Sequence, residues 1–185
     1  MEINNFLDTD NWFNYSGFYD FISEQKFESL VEVGVWKGHS ISYLASKNRN
    51  SKIWAVDLFE NTDDAYYQKP HLKKQLSHIY EIYNKNLINK NVRNIVQDIK
   101  GDSFESAKIF EDNSLDFVFI DASHDYDRVK RDVEAWYNKV KEGGIISGHD
   151  YGSFPGVKQA VDELVKDKSL KLNTAPGCVW FCYKK

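Results

Sequence analysis

An almost unbroken apolar run, Leu115–Ile120 (LDFVFI), limits the fold of this chain more than any other feature. A strand with one face in water alternates polar and apolar residues, whereas a strand buried on both faces is apolar along most of its length. Strands of the second kind belong to parallel sheets that helices cover on both sides. The run therefore predicts an α/β protein built on a parallel sheet.

Strand patterns and helix patterns alternate along the rest of the chain. This alternation predicts a doubly wound, mostly parallel sheet of seven strands with helices on both faces, and one antiparallel strand near the C-terminus. The predicted strands cover residues 29–34, 52–57, 94–99, 115–120, 145–147, 170–172 and 179–183. The predicted helices cover residues 39–47, a longer segment through Leu72 and Tyr83, 104–110 with Ser103 as a cap, a segment from Val129 that Gly143 and Gly144 end, and a segment after Pro155 and Gly156.

The length of 185 residues suits one domain, and we assign residues 1–185 to a single unit. Residues 1–27 are predicted to form a helical cover segment, and residues 28–185 the core. The many aromatic side chains of the cover segment either pack on the core or line a site for an organic substrate. The irregular stretch 59–71 is a candidate lid over a ligand.

The formal net charge is −4 and no stretch collects basic residues, so we expect no nucleic-acid partner. No run is apolar enough over a sufficient length to cross a bilayer, and no N-terminal signal pattern is present, so we expect no membrane partner. Cys178 and Cys182 lack the spacing of a zinc site or a disulfide framework. A cytoplasmic location is the resulting expectation.

Two glycines, Gly34 and Gly38, follow the first predicted strand and precede a helix. Gly34 allows a sharp turn, and we expect Gly38 to let the backbone approach a ligand closely. The free N–H groups at the start of that helix are suited to a carboxylate or another polar group. A dinucleotide fingerprint needs G-x-G-x-x-G, but Trp36 stands where its second glycine belongs, which argues against a nicotinamide cofactor.

Polar residues also follow the second and third predicted strands. Asp57 comes about twenty residues after the glycine turn, the position from which a carboxylate binds ribose hydroxyls. After the third strand, Asp102 or Ser103 is placed to bond an adenine edge, or else forms a plain turn and helix cap. The turn and these residues together predict a cofactor that contains adenosine.

The most specific cluster follows the fourth and fifth predicted strands. Neighbouring strand ends would bring Asp121, His149 and Asp150 together, and mainly oxygen ligands favour Mg²⁺ or Mn²⁺. His124 is suited to general-base work near neutral pH. Alternatively, these residues cap helices and bond one another.

With these clusters identified, the chain resembles the class I S-adenosylmethionine-dependent methyltransferases. The segment VEVGVWKGHS is similar to their first motif, E-x-G-x-x-x-G-x-S, and the run FIDASHDYDRVKRDVEAWYNKVKEGGIISGHDY resembles small bacterial O-methyltransferases of the macrocin and sugar type. The resemblance covers roughly residues 27–165 and implies a Rossmann-like fold with S-adenosylmethionine as cofactor.

The resemblance implies a role for each matching residue. Glu32 and Gly34 lie near the methionine part of the cofactor, and Ser40 near its carboxylate. Asp57 holds the ribose, and Asp102 and Ser103 form the adenine-side turn. The full set expected to bind the cofactor is Glu32, Gly34, Trp36, Gly38, Ser40, Asp57, Asp102, Ser103 and Asp121.

Metal-dependent relatives of the catechol type have an acid after the fourth strand, a pair after the fifth, and a lysine base three residues after the first acid. The resemblance therefore implies Asp121, His149 and Asp150 as metal ligands, with His124 and Asp121 as catalytic residues. His149 stands where the family usually has a carboxylate, and His124 where it has lysine.

The expected activity is methyl transfer from S-adenosylmethionine to a hydroxyl of a small molecule or sugar, with His124 as base and Mg²⁺ or Mn²⁺ as a candidate helper. The alternatives are a nicotinamide-dependent reductase, a non-catalytic module that keeps the cofactor pocket, and a metal-dependent hydrolase. A homodimer is compatible with the sequence.

Overall fold

A seven-stranded sheet forms the centre of the molecule. The computed structural model describes residues 12–60, 62–63 and 67–185, so residues 1–11 of the predicted cover segment and residues 61 and 64–66 of the candidate lid lie outside it. The strands are β1 (Ser29–Val33), β2 (Lys52–Asp57), β3 (Val96–Lys100), β4 (Leu115–Ile120), β5 (Val140–Gly148), β6 (Asn173–Ala175) and β7 (Val179–Tyr183). The helices are α1 (Ser16–Glu24), α2 (His39–Lys47), α3 (Pro70–Leu76), α4 (Ile79–Asn89), α5 (Ser103–Ala107), α6 (Tyr126–Lys139) and α7 (Pro155–Asp167).

The strand order is β3-β2-β1-β4-β5-β7-β6. The first five strands pair in parallel, and β7 runs antiparallel to both β5 and β6. This confirms the predicted mostly parallel sheet with one antiparallel strand. The order reverses between β1 and β4, so a crevice forms beyond their carboxyl ends, where sheets of this kind bind ligands.

Helices cover both faces of the sheet, as predicted. Residues of α1, α2 and α4, including Ile22, Leu44 and Tyr83, form one core with one face of the sheet. Residues of α5, α6 and α7, including Trp136 and Leu164, form the other. This packing explains why β4 carries so few polar residues, since both of its faces lie against helices.

The predicted longer helix through Leu72 and Tyr83 is two helices, α3 and α4. The chain breaks at Ser77 and His78, because the amide of His78 bonds the carbonyl of Gln75 in a tighter turn. The Ser77 hydroxyl also bonds the Lys74 carbonyl, at 3.2 Å. Serine competes with helical bonding in this way, and a new helix starts at Ile79.

The glycine pair does not end α6, which stops at Lys139. Residues 140–148 are strand β5, and the pairing shifts there, since Leu115 opposes Val140 whereas Phe117 opposes Ile145. Gly143, with φ +76°, lies in this bulge.

The sixth strand comes three residues later than predicted, at Asn173–Ala175. The amide of Leu170 bonds the carbonyl of Val165 and so closes the end of α7, which removes Leu170 from the strand. No helix in the described parts of the chain has both the length and the apolar character that a bilayer crossing needs.

Candidate active site

Two adjoining clefts open at the carboxyl ends of the central strands. The first cleft, of about 770 Å³, borders the ends of β1 to β4, and its lining includes Asp57, Asp102 and Ser103. The second cleft, of about 910 Å³, borders β1, β4 and β5, and its lining includes Ser40, His124, His149 and Asp150. Gly34, Trp36, Tyr67 and Asp121 line both clefts, so the two sites meet at the end of β1.

The glycine turn after β1 is held by Asp57. Its Oδ2 accepts hydrogen bonds from the backbone N–H groups of Val35 at 2.8 Å and Trp36 at 3.1 Å, and its Oδ1 accepts one from Phe59 at 2.9 Å. Burial raises the pKa of Asp57, and the backbone bonds oppose that rise. Asp57 therefore builds the turn in addition to lining the first cleft.

Gly34 is required by close packing. Its φ is +81°, and an added Cβ would lie 2.1 Å from the backbone oxygen of Asp121. Glycine alone permits the ends of β1 and β4 to approach this closely.

The close approach predicted for Gly38 is to protein and not to a ligand. Its φ is +78°, and an added Cβ would lie 2.7 Å from side-chain atoms of both Leu87 and Tyr83. Gly38 thus lets the start of α2 pack against α4, and it lies outside the lining of both clefts.

Glu32 is buried beneath the second cleft and does not line it. It accepts hydrogen bonds from the hydroxyls of Ser40 and of Tyr19, the latter at 3.0 Å. Burial raises its pKa to about 8, although both hydroxyls lower it. Glu32 is therefore placed to act through Ser40, which does line the cleft.

The turn after β3 is already well bonded. Asp102, and not Ser103 as predicted, caps α5, with its Oδ1 accepting from the amide of Glu105 at 3.2 Å. Its Oδ2 accepts from Arg131 at 2.9 Å. The Ser103 hydroxyl accepts from the indole N–H of Trp136 at 2.9 Å.

His124, His149 and Asp150 gather on the wall of the second cleft. Nε2 of His124 lies 3.0 Å from Oδ2 of Asp150, and the imidazole stacks on Phe154 with ring centres 3.9 Å apart. Nδ1 of His149 lies 3.3 Å from Oδ1 of Asp150 and 3.7 Å from Oδ1 of Asp121. Asp150 thus joins the two histidines.

The charges of this cluster are coupled. Burial lowers the pKa of His149, but Asp121 and Asp150 outweigh it and raise the pKa to about 10. Burial raises the pKa of Asp150, but His124 and His149 outweigh it and hold the pKa well below its usual value.

Asp121, His149 and Asp150 each offer one ligand atom, and these atoms lie within 4.8 Å of one another. Two carboxylates and an imidazole are a donor set that divalent cations accept. Nε2 of His149 is buried and has no hydrogen-bond partner among the described residues. With its raised pKa, His149 carries a proton on Nδ1 near neutral pH, facing both carboxylates. The residues therefore fit a cation, which must displace a proton from His149 to bind.

Several residues of the clefts were not identified from the sequence. The hydroxyl of Tyr15 lies 3.3 Å from Oδ2 of Asp121, although the aromatic residues near it in the sequence suggested only packing or substrate contact. Arg128, Arg131 and Asp132 on α6 line the first cleft. Their i, i+3, i+4 spacing gives them one helix face, a signal present in the sequence.

A family model described as a methyltransferase domain matches residues 31–151. An uncharacterised protein of Acanthamoeba polyphaga mimivirus is 30% identical over 147 residues, which are 75% of this chain and 60% of that protein. A tRNA N(3)-methylcytidine methyltransferase of Schizosaccharomyces pombe is 27% identical over 136 residues, which are 72% of this chain and 40% of that protein. The chain thus spans less than two thirds of the length of both relatives.

Solved structures share the fold. The O-methyltransferase NovP superposes with a TM-score of 0.71 at 21% identity, over 94% of this chain and 79% of that one. TomG from Streptomyces achromogenes, an O-methyltransferase in complex with SAM, superposes with a TM-score of 0.65 at 11% identity, over 92% of this chain and 79% of that one. At such identities the likeness establishes the Rossmann-like fold. Because the family match covers more than half of the chain, the protein belongs to the class I S-adenosylmethionine-dependent methyltransferases.

Proposed function

We propose that the chain transfers a methyl group from S-adenosylmethionine to a hydroxyl of a small molecule or sugar. The pair of His124 and Asp150, with Nε2 and Oδ2 3.0 Å apart on the wall of the second cleft, carries this proposal. A hydroxyl loses its proton when it takes a methyl group, and imidazole is well suited to accept that proton near neutral pH.

The cofactor supplies an electrophilic methyl group on a sulfonium, and the carbon–sulfur bond breaks as the acceptor oxygen forms its bond to that carbon. His124 takes the hydroxyl proton, and Asp150 stabilises the imidazolium that results. Alignment of the two substrates falls to the residues shared by the two clefts, above all Gly34 and Asp121.

The roles we propose in cofactor binding divide between the two clefts, with the ribose and adenine in the first and the methionine part at the second. Asp57 binds the ribose, the turn of residues 101–103 borders the adenine, and Ser40, supported by Glu32, contacts the methionine part. Trp36 supports this arrangement, since it lines both clefts and its ring packs on Tyr67 with ring centres 5.3 Å apart. Gly38 contributes to cofactor binding indirectly, because it allows the start of α2 to pack against α4.

We also propose that Asp121, His149 and Asp150 hold a divalent cation, Mg²⁺ or Mn²⁺. Bound there, a cation would lower the pKa of an acceptor hydroxyl and orient it. The separation of the three ligand atoms supports this assignment.

The acceptor we propose is a small molecule, even though one relative is named for tRNA. The net charge of −4 and the absence of a basic stretch in the sequence argue against an RNA partner. The second cleft is walled by aromatic side chains, among them Phe13, Tyr15 and Phe154, which suits an organic acceptor. The nicotinamide-dependent reductase gains no support from the family match.

The test is a methyl-transfer screen over a library of hydroxyl compounds, with labelled S-adenosylmethionine, with and without Mg²⁺ or Mn²⁺. We expect transfer to at least one hydroxyl compound, and its loss in His124→Ala. Transfer to tRNA but to no small hydroxyl compound would overturn the proposed acceptor. Binding of the cofactor without transfer to any acceptor would favour a non-catalytic module, and transfer unaffected by a strong chelator would remove the cation.

A further inference from the structure

A hairpin turn, residues 176–178, joins β6 to β7 at the same edge of the sheet as the two clefts. β6 ends at Ala175 and β7 begins at Val179. β7 runs antiparallel to β5, with Trp180 opposite Gly148, so β7 begins where β5 ends. The topology thereby places the hairpin turn beside the second cleft, although none of its residues is among the described residues that line either cleft.

One side of the hairpin turn packs against the cover segment. Gly177 has a φ of +82°, and an added Cβ would lie 2.4 Å from Oδ1 of Asn14 and 3.2 Å from Cβ of Tyr15. Asn14 and Tyr15 both line the second cleft. Because glycine has no side chain and tolerates this φ, Gly177 lets that part of the cover segment lie against the hairpin turn.

The other side of the hairpin turn bonds the loop that follows β5. The carbonyl of Cys178 accepts a hydrogen bond from the amide of Tyr151 at 3.1 Å, and its Sγ accepts one from the hydroxyl of Ser153 at 3.3 Å. That loop includes Asp150, whose Oδ2 lies 3.0 Å from Nε2 of His124. The hairpin turn therefore also contacts the loop that supports the proposed base.

We infer that the hairpin turn holds two walls of the acceptor site at a fixed separation, and that Gly177 is a positioning residue for the acceptor. This inference rests on the proposed use of the second cleft for the acceptor. Asn14 and Tyr15 form one wall, and Asp150 and Phe154 form the other. A side chain at residue 177 would displace the first wall while the bonds to the loop after β5 keep the second in place.

The test is Gly177→Asn, because asparagine tolerates a left-handed φ better than most residues and adds a side chain at the contact. With an acceptor found in the screen, we expect the KM for the acceptor to rise at least about fivefold and kcat to change less than about threefold. The Kd for S-adenosylhomocysteine, measured by calorimetry, should stay within about twofold, because the hairpin turn does not border the first cleft.

Gly143→Asn is the matched control. Gly143 has a φ of +76°, and among the described residues no atom lies within 4 Å of its added Cβ. Both variants introduce the same backbone strain, but only the one at Gly177 meets a wall of the cleft. Gly143→Asn should therefore keep the wild-type KM, kcat and Kd.

A wild-type acceptor KM in Gly177→Asn would overturn the inference, as would equal changes of KM in the two variants. A rise in the Kd for S-adenosylhomocysteine as large as the rise in acceptor KM would also overturn it, because the effect would then not be confined to the acceptor site. If thermal melts show that Gly177→Asn does not fold, Gly177→Ala and Gly143→Ala take the place of the pair.

A second measurement needs no acceptor. In NMR spectra, the backbone amide signals of Asn14 and Tyr15 should shift in Gly177→Asn, whereas those of Gly101 and Asp102 should not. Shifts confined to the hairpin turn would overturn the inference. A wild-type chain that methylates no hydroxyl compound would instead contradict the proposed function, and the NMR comparison would still decide whether Gly177 positions the wall.

Discussion

The hydroxyl of Tyr15 donates a hydrogen bond to Oδ2 of Asp121 at 3.3 Å, across 106 residues of sequence. The ring of Tyr15 also packs against His149 and Phe119, with ring centres 4.9 and 5.0 Å away. The residue just before α1 is therefore part of the wall where the two clefts meet. The N-terminal segment helps to orient the carboxylate that both clefts share.

Tyr15→Phe should weaken the site without unfolding the chain. The ring and its packing remain, but Asp121 loses a donor that fixes its orientation, so kcat/KM should fall about tenfold, the effect of one hydrogen bond to a charged group. Steady-state methyl transfer to an acceptor found in the screen measures this. Tyr43→Phe is the control, since it removes a similar bond, 2.8 Å to Asp20, between α1 and α2. Equal effects of the two variants would contradict a role for Tyr15 in the site.

Glu32 should make stability depend on pH. Its pKa is about 8 in the folded chain, against 4.5 for an unperturbed glutamate. Between these values the folded state binds a proton that the unfolded state has lost, so the free energy of unfolding falls as pH rises, by at most about 1.4 kcal/mol per pH unit.

Glu32→Gln cannot titrate, so its melting temperature should fall less than that of the wild-type chain between pH 5 and pH 8. Thermal melts across that range provide the measurement. Glu111→Gln, at an exposed position, should keep the wild-type dependence. Identical pH slopes for Glu32→Gln and the wild-type chain would show that Glu32 does not hold the extra proton.

His124→Gln should separate chemistry from binding. Removal of a general base lowers turnover by about 10²-fold or more, whereas affinity for S-adenosylhomocysteine should stay within about threefold. The rate of the variant should rise with pH, because the acceptor hydroxyl then ionises without help. His78→Gln, on the surface between α3 and α4, is the control for turnover. A variant with wild-type turnover at neutral pH would exclude His124 as the base.

Asp57→Asn should weaken cofactor binding through the shape of the turn. The amide retains one acceptor oxygen, so it cannot bond Phe59 on one side and both Val35 and Trp36 on the other. We expect the Kd for S-adenosylhomocysteine to rise at least about tenfold, measured by calorimetry. Asp112→Asn, which alters the pair of the exposed Asp112 carboxylate with Lys139, should leave that Kd unchanged.

The sheet could be predicted because its strands carry local signals. Three of them, at residues 52–57, 115–120 and 179–183, have the predicted bounds, since each is a short and largely apolar run. The errors arose where a local bond competes with a periodic pattern. Ser77 interrupts a helix although the apolar spacing of that helix continues past it. The hydrogen bond from the Leu170 N–H to the Val165 carbonyl closes the end of α7 at residues whose types favour a strand.

Site residues were harder to predict where their role depends on contact with a strand or helix that is distant in the sequence. In the sequence, Gly34 is only a glycine in a turn, and nothing there shows that it brings β1 close to β4. Gly38 gives the same sequence signal, although it packs against α4. The bonds of Tyr15 to Asp121 and of Tyr19 to the buried Glu32 depend on tertiary packing of α1, which periodicity does not specify. Residues at strand ends were found because the topology of a parallel sheet gathers them.

Gly34, Trp36, Tyr67 and Asp121 border both clefts. Under the proposed function, a change at any of them should alter the donor and acceptor sides together. Phe13, Asn14 and Phe154 border the second cleft and not the first. Laboratory evolution towards a different acceptor should therefore accumulate substitutions at those three positions and conserve the four shared ones. A library restricted to Phe13, Asn14 and Phe154 should therefore sample new acceptors and leave the proposed binding of the methyl donor unchanged.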